Sequence, residues 1–369
     1  IGVFGGIPGE LVKARIYRYR RRKRSMVTGM VSQVIEPSPY RVEVPCPNFG
    51  PCSGCQWQHI DYQHQLELKR GIVSDSFSSY STLGEVNISP TLPAPSQFEY
   101  RNHARFTVRF GGQMGFSNRI TRRFVRIENC MLMAPEINEV LGGLQDKVSE
   151  TTNLSVRVGV NTGDRLIQPT LSAPDIPFAS GQKWYTEKLK GRTFRVASPS
   201  FFQVNTPQSE TLIDLVSEYL ALTKEQTLVD AYAGVGTFAS ILAPNVKKVF
   251  AIEESASAVM DASSALLDVQ NVEFLLGKTE KVLGDIAENI DALILDPPRV
   301  GCHPDTLKAV IERRPPRVAY VSCDPLSLAR DLDILVKGNY RVINVQPVDM
   351  FPQTYHVECV VTLGLSGQT

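Results

Sequence analysis

From about residue 207 onward, strand-like and helix-like segments alternate at short intervals, and this constrains the fold more than any other feature of the chain. A helical stretch, Gln208–Ala221, leads to an apolar run, Gln226–Ala231, then a glycine turn and a helix, Thr237–Leu242, which Pro244 ends. The run Lys248–Ile252, helix Ala256–Val269, run Asp291–Leu295, helix Pro304–Glu312 and run Val318–Val321 continue the pattern. Strand–helix repetition at this spacing predicts an α/β fold, a doubly wound parallel sheet with helices on both faces. Two later strands, Arg341–Val345 and His356–Leu363, are joined by too little chain for a helical crossover. They are expected to form an antiparallel hairpin at one end of the sheet.

The chain upstream reads differently. Residues 1–44 suggest short strands, Glu10–Tyr19, Met26–Ile35 and Tyr40–Val44, with turns at Gly5-Gly6 and Pro37-Ser38-Pro39. That suits a small, OB-like β-barrel lacking its first strand. Residues 45–200 are expected to form a β-rich central domain with alternating runs such as Arg105–Phe110 and Ser155–Val160. A helix near Tyr62–Tyr80 interrupts it, and Pro90, Pro93 and Pro95 mark a boundary. Residues 201–369 form the third expected domain.

The charge balance, +1 overall, says little, but its distribution says more. Arg15, Arg18, Arg20, Arg21, Arg22, Lys23 and Arg24 crowd together around Tyr17 and Tyr19, and Arg119, Arg122, Arg123 and Arg126 gather around Phe124. Basic side chains interleaved with aromatics suit a nucleic acid, whose phosphates and unpaired bases they contact. No apolar run reaches the roughly 18 residues of a membrane helix, and no charged-then-apolar leader opens the chain. A cytoplasmic monomer is the expectation.

Three segments carry candidate chemistry. Asp230–Ala239 reads DAYAGVGTFA between a strand and a helix, where Gly234 and Gly236 let the backbone turn tightly against a ligand. Glu253 ends the next strand, where a carboxylate can accept ribose hydroxyls. Nicotinamide and S-adenosylmethionine sites share both features. Asp296-Pro297-Pro298-Arg299 follows a third strand, where two prolines hold Asp296 rigidly beside a bound cofactor; dehydrogenases have no need of it. Cys323, at the end of the following strand, faces the same cleft, and a thiolate there is a strong nucleophile. Glu358 on the last hairpin is the candidate general base, its pKa raised by burial beside Phe351 and Val357.

These segments, with Phe201–Asn205 (FFQVN), Ser322–Leu332 (SCDPLSLARDL) and Phe351–Glu358 (FPQTYHVE), occur in an order that resembles the RNA uracil-5-methyltransferase family. The resemblance spans the chain and implies a class I, S-adenosylmethionine-dependent methyltransferase. It implies Cys323 as the nucleophile that adds to carbon 6 of a uridine and Glu358 as the base that later removes the carbon-5 proton. Gln203, Tyr232, Gly234, Gly236, Thr237, Glu253 and Asp296 are then expected to bind S-adenosylmethionine. Residues 1–44 resemble the family's RNA-binding TRAM barrel. The implied target is a uridine of 23S ribosomal RNA, with uridine 54 of transfer RNA, or a non-catalytic RNA-binding module, as alternatives. Asp324 stands where Asn is more frequent, Thr237 where some members carry Asn, and Lys278 where an acidic or amide residue often meets the adenine.

Seven cysteines are spread unevenly, with Cys46, Cys52 and Cys55 close together and Cys130 downstream. This is not a disulfide framework. Four thiolates suit zinc or an iron–sulfur cluster equally on residue type alone. The spacing resembles the iron–sulfur branch of the same family, which implies a 4Fe–4S cluster, with zinc as the alternative.

Overall fold

The computed structural model describes residues 2–21, 24–118, 120–173 and 175–367. Of the two basic clusters, Arg22, Lys23 and Arg119 lie outside the described residues.

The first three strands, β1 (Gly2–Phe4), β2 (Leu11–Arg21) and β3 (Arg24–Glu36), form a sheet in the order β1-β3-β2. Among the described residues the N-terminal part is thus a small β domain of three strands. The expected strand at Tyr40–Val44 reduces to a single bridge between Arg41 and Ile60. Pro37, Pro39, Pro45 and Pro47 remove ladder donors on both sides of it. Arg41 instead grips Glu10, Nε to Oε1 and Nη2 to Oε2, both at 2.6 Å.

Helix α1 (Tyr62–Phe77) starts on Asp61, whose side chain accepts from the His64 amide at 3.2 Å. An antiparallel sheet follows, built from β4 (His103–Val108), β5 (Met114–Ser117), β6 (Phe124–Arg126), β7 (Asn153–Val158) and β8 (Arg165–Gln168). Its order is β6-β5-β4-β7-β8, and one face packs on α2 (Pro135–Leu144). A hairpin, β9 (Trp184–Leu189) and β10 (Arg192–Ala197), completes this part.

The remaining chain alternates as its sequence predicts: α3 (Thr206–Leu220), β11 (Thr227–Ala231), α4 (Thr237–Leu242), β12 (Lys248–Glu253), α5 (Ala256–Ala265), β13 (Val272–Leu276), α6 (Thr279–Val282) and β14 (Ala292–Leu295). Then come α7 (Pro304–Arg313), β15 (Arg317–Ser322), α8 (Pro325–Lys337), β16 (Tyr340–Val348) and β17 (Glu358–Leu365). Seven strands lie in the order β13-β12-β11-β14-β15-β17-β16. The first five are parallel, and β17 runs antiparallel between β15 and β16. The doubly wound sheet and its terminal hairpin are thus as expected.

β11 and β14 are buried on both faces, which explains the unbroken apolar sequence of β14 and leaves Asp230 as the one buried acid of β11. One face is covered by α7 and α8 together with α1, whose Val73 and Phe77 join the core formed by Leu307, Leu328 and Leu332. α3, α4 and α5 cover the other face. Among the described residues no helix is long and apolar enough to cross a membrane.

Candidate active site

The parallel strands deliver their carboxyl ends to one edge of the sheet, where ligands bind in open α/β folds. A cavity of about 980 Å³ opens there. Of the residues singled out in the sequence, Gln203, Tyr232, Gly234, Thr237, Glu253, Asp296, Cys323 and Glu358 line it, as does Lys278. Gly236 does not. It takes φ 77° just before α4, and a Cβ built on it meets the Phe274 ring at 2.9 Å.

The turn after β11 is held from below. Asp230 is fully buried, and its Oδ2 accepts from the Ala239 amide at 2.8 Å. Burial pushes its pKa up to about 8. At the end of β12, the Glu253 carboxylate accepts from the Gly234 amide at 2.8 Å and from the Ser255 amide at 2.7 Å. The backbone turn and the carboxylate are therefore oriented together, with lone pairs left over for hydroxyls. Burial pushes the Asp296 carboxyl up to about 7, although part of its surface stays open to the cavity.

Cys323 sits between the end of β15 and the first turn of α8. Asp324 caps that helix, its Oδ1 accepting from the Ser327 amide at 2.9 Å, and Pro325 follows at a position where no amide is needed. Either Asp or Asn performs this capping well, so the exchange noted in the sequence keeps the turn. β15 and β17 pair antiparallel from Arg317 opposite Gly364 to Ser322 opposite Cys359. Cys323 and Glu358 are the neighbours of that final pair, and both line the cavity.

Two influences act against each other on the Cys323 thiol. Burial and the Glu358 carboxylate push its pKa up, to about 11. A hydrogen bond from Arg299 pulls it back, and the positive end of the α8 dipole favours the thiolate as well. Glu358 is buried, and burial, reinforced by Asp296, raises its pKa well above the ordinary carboxylate value, with Arg299 opposing. A carboxylate in such a place is a stronger base once ionised. His356 packs against Phe351 and Tyr355, with ring centroids 6.0 and 4.4 Å apart.

Arg299 was given no role by sequence reasoning, although the Asp-Pro-Pro-Arg run placed it beside Asp296. Its loop is fastened by α8. The Cys302 amide and the Tyr320 hydroxyl each donate to Asp331 Oδ2 at 2.7 Å, and Arg330 Nη2 donates to the Val300 carbonyl at 2.8 Å. Asp331 is wholly buried and carries no signal in the sequence beyond its place in a motif.

A second cavity, of about 380 Å³, is lined by Cys46, Cys52, Cys55 and Cys130. Burial pushes the Cys55 thiol up to about 12 and raises Cys52 and Cys130, and neighbouring thiols add to the effect. Gln58 Nε2 donates to Cys55 Sγ at 3.2 Å, and the Cys130 amide donates to Asn138 Oδ1 at 2.9 Å. Among the described residues no group of three or more His, Cys, Asp or Glu side chains is arranged to hold a single metal ion.

A sequence model of the tRNA (uracil-5-)-methyltransferase family matches residues 184–365. An uncharacterised RNA methyltransferase of Gloeobacter violaceus is 33% identical, over 98% of this chain and 90% of its own. One from Halalkalibacterium halodurans is 32% identical, over 98% of this chain and 91% of its own. The crystal structure of the Pyrococcus abyssi tRNA (uracil-54, C5)-methyltransferase in complex with S-adenosyl-L-homocysteine superposes with a TM-score of 0.76 at 26% identity, covering 98% of this chain and 95% of that one. With a Cys and a Glu lining one cavity at the cofactor edge of such a sheet, this chain belongs to the RNA uracil-5-methyltransferase family.

Proposed function

We propose that the chain transfers the methyl group of S-adenosylmethionine to carbon 5 of a uridine in RNA, with Cys323 as nucleophile and Glu358 as base. The observation that supports this reading is that Cys323 and Glu358, the neighbours of the last β15–β17 pair, line one cavity. Gln203, Tyr232, Gly234, Thr237, Glu253 and Asp296 would hold S-adenosylmethionine. The tight turn fits its backbone-close approach, and the Glu253 carboxylate fits a pair of ribose hydroxyls. When bound, it supplies an electrophilic methyl group.

Carbon 5 of uracil is a poor nucleophile until something adds at carbon 6. A uridine turned out of its stack enters the cavity, and Cys323 sulfur bonds to carbon 6. The electron pair displaced from the 5,6 double bond makes carbon 5 nucleophilic, and carbon 5 takes the methyl. Glu358 then removes the proton from carbon 5, the double bond re-forms, and the Cys323 thiolate leaves. Arg299 stabilises the thiolate at the start and at the end. The thiolate and the 5,6 double bond are thereby restored, and Glu358 gives up to solvent the proton it took from carbon 5 before the next turnover.

Glu358→Gln is expected to stop after methylation, leaving a covalent protein–RNA adduct that survives a denaturing gel. Cys323→Ala is expected to form no adduct and no product. Free RNA alone from the Glu358→Gln enzyme would reject this reading of the pair.

Ribosomal RNA is our first target, from the motif resemblance. The likeness to the Pyrococcus enzyme favours a second reading, a transfer RNA uridine. Mass mapping of 5-methyluridine in both RNAs from a deletion strain distinguishes them. We further assign Cys46, Cys52, Cys55 and Cys130 to a 4Fe–4S cluster. The four thiols line one cavity, and soft ligands in that number suit such a cluster, with zinc as the runner-up. Its place is structural, since this methylation moves no net electrons.

A further inference from the structure

The five-stranded sheet uses only one face for its core. Ala104, Phe106 and Val108 on β4, and Leu154, Val156 and Val158 on β7, all enter the cluster shared with α2. Strand alternation therefore turns His103, Arg105 and Thr107 to the opposite face, where their partners across the ladder are Arg157, Ser155 and Asn153. Arg109 continues the same parity just past the strand, its guanidinium 5.9 Å from the centre of the Phe124 ring on β6.

This face carries cations that lack carboxylate partners among the described residues, and Arg101, His103, Arg105 and Thr107 also line the cavity of the four cysteines. Arg105 and Arg109 are exposed. Among the described residues, neither they nor Arg101 and Arg157 pair with a carboxylate, unlike the arginines at 126, 165 and 192. Burial pushes the His103 pKa down to about 3, and Arg157, Arg101 and Arg105 all push it the same way. Arg126, which the sequence placed in a basic cluster, turns out to be spent: Nη1 and Nη2 donate to Asp146 at 2.6 and 2.7 Å, and Nε to Glu128.

We propose that this sheet face, with Arg105 and Arg109 at its centre, carries the sugar–phosphate backbone of the RNA whose uridine reaches Cys323. The inference rests on the chain acting on RNA, as argued above. The exposed Arg105 and Arg109, without a carboxylate partner among the described residues, call for a polyanion, and Thr107, Ser155 and Asn153 between them add hydrogen-bonding groups suited to phosphate and ribose oxygens. The face also leads to the chemistry. At its inner end Arg157 Nη1 donates to the Ser200 carbonyl at 2.7 Å, immediately before Phe201, Phe202 and Gln203 enter the active-site cavity.

The test is the salt dependence of binding to a fluorescent oligouridylate. For a single strand, every phosphate that the protein ceases to neutralise lowers the slope of log affinity against log salt by about 0.7. The double variant Arg105→Ala/Arg109→Ala is therefore expected to lose about 1.4 of slope. It should also raise KM for methyl transfer while leaving kcat at saturating RNA unchanged. Arg126→Ala, with its guanidinium already tied, is expected to leave the slope as it is. Both Arg105 and Arg109 are exposed, so unfolding midpoints should match wild type. An unchanged slope in the double variant overturns this face as the RNA track. Absence of salt-dependent binding by the wild type overturns both this proposal and the RNA reading. A lowered slope without any adduct in Glu358→Gln leaves the track standing and removes only the catalytic assignment.

Discussion

Lys69 and Asp349 form an ion pair in which neither side chain has any exposed surface. Tyr62 donates to the other Asp349 oxygen at 2.9 Å, and Lys69 also donates to the Phe351 carbonyl at 3.1 Å. Burial lowers the Lys69 pKa, and Asp349 opposes the shift. α1 is in this way locked to the segment that leads into Glu358.

Removing one member of such a pair strands the other in a dry site. Lys69→Met is expected to cost about 3–5 kcal/mol in urea or thermal unfolding. Lys69→Met/Asp349→Asn, which keeps an acceptor for Tyr62 and leaves no charge, should cost clearly less. Equal losses in the two variants would show that the charge itself is not what the site penalises.

Arg299 opposes the burial and the Glu358 charge that together leave the Cys323 thiol raised to about 11. Arg299→Met should move the alkylation profile of Cys323 to higher pH, and a profile displaced by one pH unit means roughly tenfold slower reaction at a given pH below it. Iodoacetamide labelling followed by mass analysis of the Cys323 peptide reads this directly. A profile that stays in place would remove Arg299 from the thiolate's support.

Asp296 binds its proton more tightly folded, up to about 7, than unfolded, near 4. Its contribution to stability is therefore complete below about pH 4 and is lost as pH rises toward 7. Asp296→Asn, which keeps a neutral group throughout, should gain on the wild type across that window and no further above it. Unfolding midpoints compared at acid and neutral pH test this, and a constant difference would count against it.

Gly236 is held at φ 77° with Phe274 close behind it. Gly236→Ala is expected to lose about 1–3 kcal/mol, while Gly234→Ala, whose Cβ meets nothing within 4 Å, should be limited to the cost of its φ of 57°. Parallel thermal melts separate the two.

For the cysteine cavity, protein purified without oxygen is expected to contain about four iron and four sulfide per chain, the content of one 4Fe–4S cluster. Cys130→Ser should lose both. Zinc in their place would reverse the assignment of the metal.

What the sequence made legible was local. Apolar runs with glycine turns fixed the order of strands and helices, and the motifs sat at strand ends, so the cavity residues could be named before their positions were known. The β15–β17 register was not readable, because nothing local says that Cys323 and Glu358 flank its last pair. β13 was missed, since its edge position leaves it half-exposed and weakly patterned. Helical periodicity carried the expected helix after Ala256 four residues too far, because α5 ends at Ala265. Arg126 looked like a free cation because its partner Asp146 lies 20 positions on, beyond α2, and the burial of Lys69 had no local signal because Asp349 is 280 positions away.

The amides of Gln56 and Trp57 both donate at 3.0 Å to the carbonyl of Gln353, and Gln65 exchanges hydrogen bonds with the same residue, 288 positions along the chain. A growing polypeptide emerges from its N-terminal side, so these amides, Lys69 and the apolar face of α1 must wait in water until synthesis has passed Gln353. Contacts that span so much chain are slow to close, and exposed apolar surface is prone to aggregate meanwhile. The stretch from Asp349 to Gln353 is thus the one that fastens the earlier segments, and a truncation just short of Asp349 should leave them soluble only with help.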